Sequence, residues 1–217
     1  MSDIFEKPNA SLKEQAYARI KRKIVTMEYS PGEYLNEAMI CEQLGIGRTP
    51  VHQAVDQLSL EGLTDIIPRK GLIVRPISMD EVRDIIEVRL LNERYCVSLA
   101  AQNATNAHIE EMEEILDNAA GYIKDRNRER LMEADYQFHL VISSAANNRI
   151  LADMLRVLHE RQLRFWFVSL NDDEHPNDVQ QEHTDILNAI KNHDGQAAAD
   201  ATQAHIESFR NAIMHSL

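Results

Sequence analysis

The sequence predicts a mainly α-helical fold in two parts, with a small β-hairpin closing the first part. Apolar residues recur three and four positions apart through most of the 217 residues, which is the helical period. Two short β-rich runs, 63–67 and 72–74, are the exception. Charge also divides the chain, because residues 1–78 carry no net charge and residues 79–217 carry the whole net charge of −12.

Three helices are predicted before the hairpin. Ser11 and Glu14 stand in capping-box register at the start of the first helix, and Gly62 stops the third. The predicted segments are about 11–27, 35–45 and 49–62. Pro68-Arg69-Lys70-Gly71 then separates the two β-rich runs as a turn. Three helices followed by a small hairpin form a winged helix-turn-helix.

The second part is predicted to be an all-α antiparallel helical bundle. Ser78 and Glu81 form a new capping box, which puts the domain boundary here. Six amphipathic segments follow, at about 79–102, 106–122, 127–146, 148–170, 177–193 and 195–215. The predicted organisation is therefore a tail (1–10), a winged helix-turn-helix (11–76), a linker (77–80) and a helical domain (81–217).

Composition excludes several protein classes. No apolar run approaches the roughly 18 residues of a membrane span, and the first residues lack the pattern of a signal peptide, so a cytoplasmic protein is expected. The two cysteines, Cys41 and Cys96, have no CxxC spacing. Neither a disulfide framework nor a cysteine zinc site is predicted.

The start of the third helix and the tip of the hairpin are the predicted DNA-binding surface. A helix-turn-helix places the N-terminal residues of its second helix against base edges. There Arg48 can reach guanine or phosphate, and the Thr49 hydroxyl can bond a phosphate. A single basic residue is more often a solvated surface charge. Basic residues at both the helix N-terminus and the adjacent hairpin turn favour DNA binding. The predicted DNA-binding residues are Arg48, Thr49, Pro50, His52, Gln53, Arg69, Lys70 and Gly71.

Four residues of the second part are predicted to bind a metal ion. Asp135 and His139 stand four apart and so project from one helix face. His183 and His205 are each 11 residues from Asp194, the turn between the last two helices, so an antiparallel pair holds them at one level. Three imidazoles and one carboxylate suit zinc, manganese or nickel rather than calcium or magnesium. The alternative is a salt bridge and two hydrogen-bonded buried histidines.

Five other histidines are expected to have no functional role. They fall near predicted helix ends, in loops or on polar faces, and they are His108, His159, His175, His193 and His215.

Several short motifs follow one another in the first part. They are Tyr29-Ser30-Pro31-Gly32, Leu35-Asn36-Glu37, Leu44-Gly45-Ile46-Gly47-Arg48-Thr49-Pro50-Val51, Glu61-Gly62-Leu63 and Arg69-Lys70-Gly71. Over about residues 11–76 the chain resembles the winged-helix domain of GntR-type bacterial transcription regulators. Gly47, His52 and Gln53 depart from the Ser, Arg and Glu usual in that family. Histidine in place of arginine removes a permanent charge, which predicts an atypical operator or a pH-sensitive affinity.

The second part carries motifs of its own. They are Val88-Arg89 with Glu93, Asp135-Tyr136-Gln137-Phe138-His139, Glu182-His183-Thr184-Asp185-Ile186 and Ala204-His205. These motifs are similar to the FCD effector-binding domain that accompanies the fatty-acid-responsive branch of GntR regulators. The resemblance implies a divalent metal held by Asp135, His139, His183 and His205 beside a pocket for a small carboxylate. Zinc is expected before manganese or nickel. Arg89 would contact that carboxylate, or equally pair with Glu93.

These features predict a ligand-responsive transcription regulator, a repressor that binds operator DNA as a homodimer and is modulated by a small organic acid. One alternative is a constitutive DNA-binding protein with a purely structural metal. The other is a metal-dependent hydrolase. The hydrolase is disfavoured because the sequence has no HExxH motif, obvious nucleophile or phosphate-binding glycine loop.

Overall fold

The computed structural model describes residues 9–68, 70–170 and 175–216, the side chains of His215 and Ser216 excepted. In chain order its elements are α1 Leu12–Val25, β1 Tyr34–Leu35, α2 Glu37–Leu44, α3 Arg48–Leu60, β2 Thr64–Ile67, β3 Gly71–Val74, α4 Met79–Asn103, α5 Asn106–Lys124, α6 Arg128–Ala145, α7 Arg149–Ser169, α8 His175–Lys191 and α9 Gly195–Ser216. The chain divides into two compact units between Ser78 and Met79. The mainly α-helical fold class is confirmed.

The first unit is built on the packing of α3 against α1. One face of α3 is fully buried, which leaves its opposite face and its N-terminus to solvent. The buried residues of that face are Val51, Ala54, Val55 and Leu58. Gly45 ends α2 in the left-handed conformation, and Gly47 begins α3 without a side-chain cap. The first backbone amides of α3 are therefore left without a capping side chain.

The sheet has three strands rather than the two predicted. β3 lies between β1 and β2 and is antiparallel to both, with Leu35 opposite Leu72. Leu35 was expected to open the second helix, and that prediction is wrong, because Leu35 is a buried strand residue and Asn36 caps α2. A two-residue strand is too short to show an alternating pattern, so sequence periodicity could not reveal it.

Gly71 makes the junction of β1 with β3 possible. Its φ of 116° is one that side-chain-bearing residues rarely adopt, and a β-carbon there would overlap the backbone carbonyl oxygen of Leu35. Gly71 therefore has a structural role next to the turn of the hairpin, whatever its part in binding.

Over the described residues of 79–217, the second unit is a bundle of six helices, α4–α9. α9 packs along both α4 and α8, while α5 packs against α6 and α8. The six predicted segments are found with ends shifted by a few residues, and α8 begins at His175 rather than at 177. None of the described helices is long and apolar enough to cross a bilayer.

Candidate metal centre and nucleic-acid interface

The four predicted metal ligands meet in the core of the helical unit. α6 supplies Asp135 and His139, α8 supplies His183 and α9 supplies His205. Each offers one ligand atom, and these atoms all lie within 4.8 Å of one another. The Asp135 carboxylate oxygen Oδ1 is 3.4 Å from Nε2 of His183 and 3.9 Å from Nε2 of His139. All four side chains are buried.

The tight turn between α8 and α9 holds His183 and His205 at one level. His193 adopts a left-handed conformation, with φ of 55°, and the Asp194 carboxylate accepts a hydrogen bond from the Ala197 amide at the start of α9. The rings of His183 and His205 then lie 4.7 Å apart between centroids. Because His183 and His205 are each 11 residues from the turn, the antiparallel packing of α8 and α9 places them next to each other.

Burial keeps the three imidazoles of this cluster neutral. It lowers the pKa of His139 and His183 well below the usual value and that of His205 to about 3, and it raises the pKa of Asp135 to about 7. Oδ1 of Asp135 and Nε2 of His139 and His183 have no hydrogen-bond partner among the described residues. Buried polar atoms are rarely left unpaired, so converging lone pairs of this kind fit a cation.

Glutamates lie beside two histidines of the cluster, and Glu182 is within hydrogen-bond distance of one of them. Nδ1 of His205 lies 2.8 Å from a carboxylate oxygen of Glu182, and Nδ1 of His139 lies 3.6 Å from one of Glu93. A carboxylate beside Nδ1 favours the proton there and leaves Nε2 free as a ligand. Glu182 is next to His183 in the sequence, but its side chain reaches His205 on the neighbouring helix α9.

Arg89 lies buried on α4 and pairs with Glu93. Its Nε donates to Oε1 of Glu93 at 2.6 Å and its Nη2 to Oε2 at 3.3 Å. Burial alone would raise the pKa of Glu93, but Arg89, His159 and His139 outweigh it and hold the pKa well below its usual range. Nη1 of Arg89 is buried and has no hydrogen-bond partner in the described chain. The ion pair expected as one alternative is present, and one donor nitrogen remains.

His159 was wrongly expected on a polar face or at a helix end. It is 2% exposed on α7, its Nε2 lies 3.0 Å from Glu93 and its ring is 4.9 Å from that of His139. Its burial could have been predicted from the sequence, because His159 is four residues from each of the buried apolar residues Leu155 and Leu163 on α7. His175 is also buried, beside Trp166.

A cavity of about 20 Å³ opens on one side of the cluster. Asp135, His183 and Trp166 line it together with apolar residues of α5 and α8. That volume accommodates about one water molecule. A larger ligand therefore requires the surrounding side chains or helices to separate.

The predicted DNA-binding residues of α3 lie at its N-terminus. Arg48, Thr49, His52 and Gln53 are exposed and Pro50 is partly buried. On the hairpin Lys70 is exposed and Gly71 is partly buried, while Arg69 lies outside the described residues.

His52 is held between two carboxylates of the first unit. Its Nδ1 lies 2.9 Å from Glu37 on α2, and its Nε2 lies 3.6 Å from Asp56 on α3. The hydrogen bond with Glu37, and then the charges of Glu37 and Asp56, raise the pKa of His52. A positive charge on this ring therefore persists to a higher pH than on a free histidine.

Comparisons with known proteins cover both units. Residues 12–74 match the model of the bacterial regulatory proteins of the gntR family, and residues 84–208 match the FCD domain. The chain is 26% identical over 206 residues to the HTH-type transcriptional repressor RspR of Escherichia coli, covering 95% of this chain and 90% of that protein. It is also 26% identical over 194 residues to the Nta operon transcriptional regulator of Aminobacter aminovorans, covering 88% and 89%.

Solved structures share the fold. The E. coli protein McbR/YncC superposes with a TM-score of 0.84 at 21% identity, covering 95% of this chain and 98% of that one. A GntR-type regulator from Rhodococcus sp. RHA1 superposes with a TM-score of 0.79 at 18% identity, covering 96% and 100%.

Replacing Glu93 by glutamine should destabilise the helical unit. The Arg89 guanidinium would lose its buried counter-ion, which typically costs about 3 kcal/mol or more. Urea unfolding of the metal-free protein measures the loss, and Glu110→Gln, at an exposed position on α5, is the matched control and should change nothing. Equal stability of the two variants would contradict the buried pair.

Proposed function

Because the chain belongs to the gntR family of bacterial regulatory proteins and carries an FCD domain, we propose that it is a repressor that binds operator DNA as a homodimer and responds to a small carboxylate bound beside a divalent metal ion. That it is a DNA-binding transcription regulator rather than an enzyme follows from the family. The metal-dependent hydrolase is therefore set aside. The observation that carries the proposal is the buried group of Asp135 and three histidines.

Zinc is the proposed ion. Three neutral imidazole nitrogens and one carboxylate oxygen form a donor set that zinc accepts, and the pKa values of the histidines favour the unprotonated ligand form. A bound divalent ion would supply a positive charge to which a carboxylate can attach. Asp135, His139, His183 and His205 hold that ion, while the hydrogen bond with Glu182 keeps the His205 ring in the ligating tautomer.

Arg89 is the proposed second contact of the effector. Its Nη1 is a buried donor without a partner, and its other nitrogens are fixed by Glu93. A carboxylate at Nη1 would complete the guanidinium's hydrogen bonds. The cavity at the cluster holds about one water, so an effector that enters there must displace the helices around it. This displacement is how binding would shift the population of regulator states and so change operator affinity.

Operator binding is assigned to the exposed start of α3. Arg48 and Thr49 lie in the first turn, where uncapped backbone amides add a partial positive charge for a phosphate. His52 and Gln53 are exposed one turn further on and are placed to contact bases. Lys70 on the hairpin supplies a further positive charge, and Arg69 remains part of the proposal from sequence. Repression is supported by the name of the relative RspR.

A second copy of the chain is proposed to cover an apolar face formed by α4 and α7. The residues of this α4–α7 face are Val88, Leu91, Tyr95, Ile150, Met154 and Val157, and each is at least 44% exposed. They recur at helical spacing on two packed helices, and a groove of about 200 Å³ runs between the helices. A helix-turn-helix protein needs two recognition helices for two half-sites, so a self-complementary partner is the occupant that fits.

The effector response should depend on the metal cluster. An operator fragment selected from random DNA is retained on a gel by the wild-type protein, and acetate, lactate or citrate should change that retention. The Asp135→Ala plus His183→Ala protein should bind the fragment without responding, because it lacks two of the four ligands. Circular dichroism checks that its helical content is kept. A double variant that responds like wild type would rule out the metal-linked pocket, and a wild type indifferent to every acid would favour the constitutive alternative.

Removing the Arg48 side chain should weaken specific binding. Arg48→Ala is expected to lose about tenfold or more in operator affinity, the usual cost of one good base contact. Its unfolding curve should not shift, because Arg48 is exposed. Arg83→Ala, at an exposed position on α4, removes a charge of the same sign from the other unit and should leave affinity unchanged. Full operator affinity in Arg48→Ala would exclude this helix terminus as the reading surface.

Charging the α4–α7 face should separate the two copies. Leu91 is 77% exposed at this face, and Leu91→Arg should yield a monomer in light scattering at micromolar concentration. Leu60→Arg changes a residue that is 87% exposed on α3 of the other unit, and it should remain a dimer. A dimer unaffected by Leu91→Arg would place the interface elsewhere.

A further inference from the structure

We propose that Glu37, His52 and Asp56 form a proton-sensitive cluster on the DNA-reading face of α3, so that operator affinity falls as pH rises. This inference rests on the proposed function, since it takes the exposed N-terminal part of α3 as the surface that meets the operator. It adds a regulation of that surface, and it gives a role to two acidic side chains that lie beside the operator-contacting residues.

The ring of His52 has a carboxylate opposite each of its two nitrogens. Nδ1 lies 2.9 Å from Oε1 of Glu37 on α2, which is a hydrogen-bond distance, and Nε2 lies 3.6 Å from Oδ2 of Asp56, one turn further along α3. A singly protonated imidazole donates from one nitrogen and presents a lone pair at the other. In this cluster that lone pair would face a carboxylate oxygen. The doubly protonated ring presents a hydrogen to both carboxylates, so the arrangement favours the charged form.

The charged groups around His52 belong to α2 and α3. Glu37 and Asp56 both raise its pKa, and Arg48, which carries a positive charge, stands one turn before it on the same helix face. α1 and β2 also pack against α3, but among the described residues the ring's charged partners come from α2 and α3 alone. The side chain of His52 is 57% exposed, so the ring exchanges its proton with solvent freely.

Protonation of His52 decides the sign of the charge that this surface presents to DNA. Arg48 carries one positive charge, while Glu37 and Asp56 carry two negative charges. With a neutral His52 the four groups therefore have a net charge of −1, and with a protonated His52 they have none. A negative surface repels the DNA phosphates. Because the coupling between two ligands is reciprocal, the phosphates in turn raise the pKa of His52, and operator binding above that pKa takes up a proton.

The pH dependence of operator affinity tests the cluster directly. Fluorescence anisotropy measures binding of the full chain to a labelled DNA fragment, which is selected from random DNA at about pH 6. In about 0.15 M salt, the wild-type affinity should fall by about fivefold for each reading helix between about pH 6 and about pH 8.5, which is the effect of one charge on counterion release. The slope of log affinity against log salt concentration should also be shallower by about one per helix at the higher pH.

Substitutions in the cluster attribute the effect to His52. His52→Arg keeps a positive charge at every pH, so its affinity should change by about twofold or less over the same range. Asp56→Asn and Glu37→Gln should each move the midpoint of the pH profile to lower pH, and Glu37→Gln should move it further, because Glu37 supplies the hydrogen bond as well as a charge. Glu42→Gln removes an equal charge from an exposed position on α2 and should keep the wild-type midpoint.

The outcomes separate this inference from the proposed function. Specific operator binding with equal affinity at both pH values would overturn the proton-sensitive cluster alone, and so would a fall in affinity that His52→Arg reproduces. If no DNA fragment can be selected, or if Arg48→Ala binds the selected fragment as tightly as wild type, the assignment of operator binding to α3 fails and the cluster fails with it. The wild-type profile needs no variant, and circular dichroism checks that each variant keeps its helical content.

Discussion

The central constraint on the helical unit is that polar metal-ligand side chains are buried in its core, and burying them without partners costs free energy. Asp135 and three histidines converge in a bundle core, where burial penalises charge. Neutral imidazoles and a carboxylate whose pKa is raised to about 7 show how strongly this environment resists isolated charges. The proposed cation at the centre would turn that penalty into coordination energy. The packing of the three helices that supply the ligands would then be coupled to metal binding.

Glu93 links the parts of this core. It accepts from Arg89 and His159 and lies beside His139, so the α4 helix, the α7 helix and the metal cluster share one carboxylate. The negative charge is held by surrounding positive and hydrogen-bonding groups. Nη1 of Arg89 and Nδ1 of His159, which do not contact this carboxylate, have no hydrogen-bond partner among the described residues. The proposed metal ligands and the proposed effector contact Arg89 are thus linked through Glu93.

Much of this arrangement could be predicted from sequence. His183 and His205 are equally far from the turn, so two antiparallel helices must hold them at the same height along their axes. The i, i+4 spacing places Asp135 and His139 on one face of a helix. The β1 strand was not predicted because a run of two residues is too short to show an alternating pattern. The environment of His159 was not predicted for a different reason. Its partners Glu93 and His139 are 66 and 20 residues away in the sequence, and only the packing of α7 against α4 and α6 brings them together.

The most direct test of the account is the zinc K-edge X-ray absorption spectrum of the protein loaded with one equivalent of zinc. The account predicts one ion per chain, with imidazole nitrogen and carboxylate oxygen ligands at about 2.0–2.1 Å and multiple-scattering features of about three histidines. A six-coordinate shell of oxygen alone, or zinc that is lost on desalting, would contradict it.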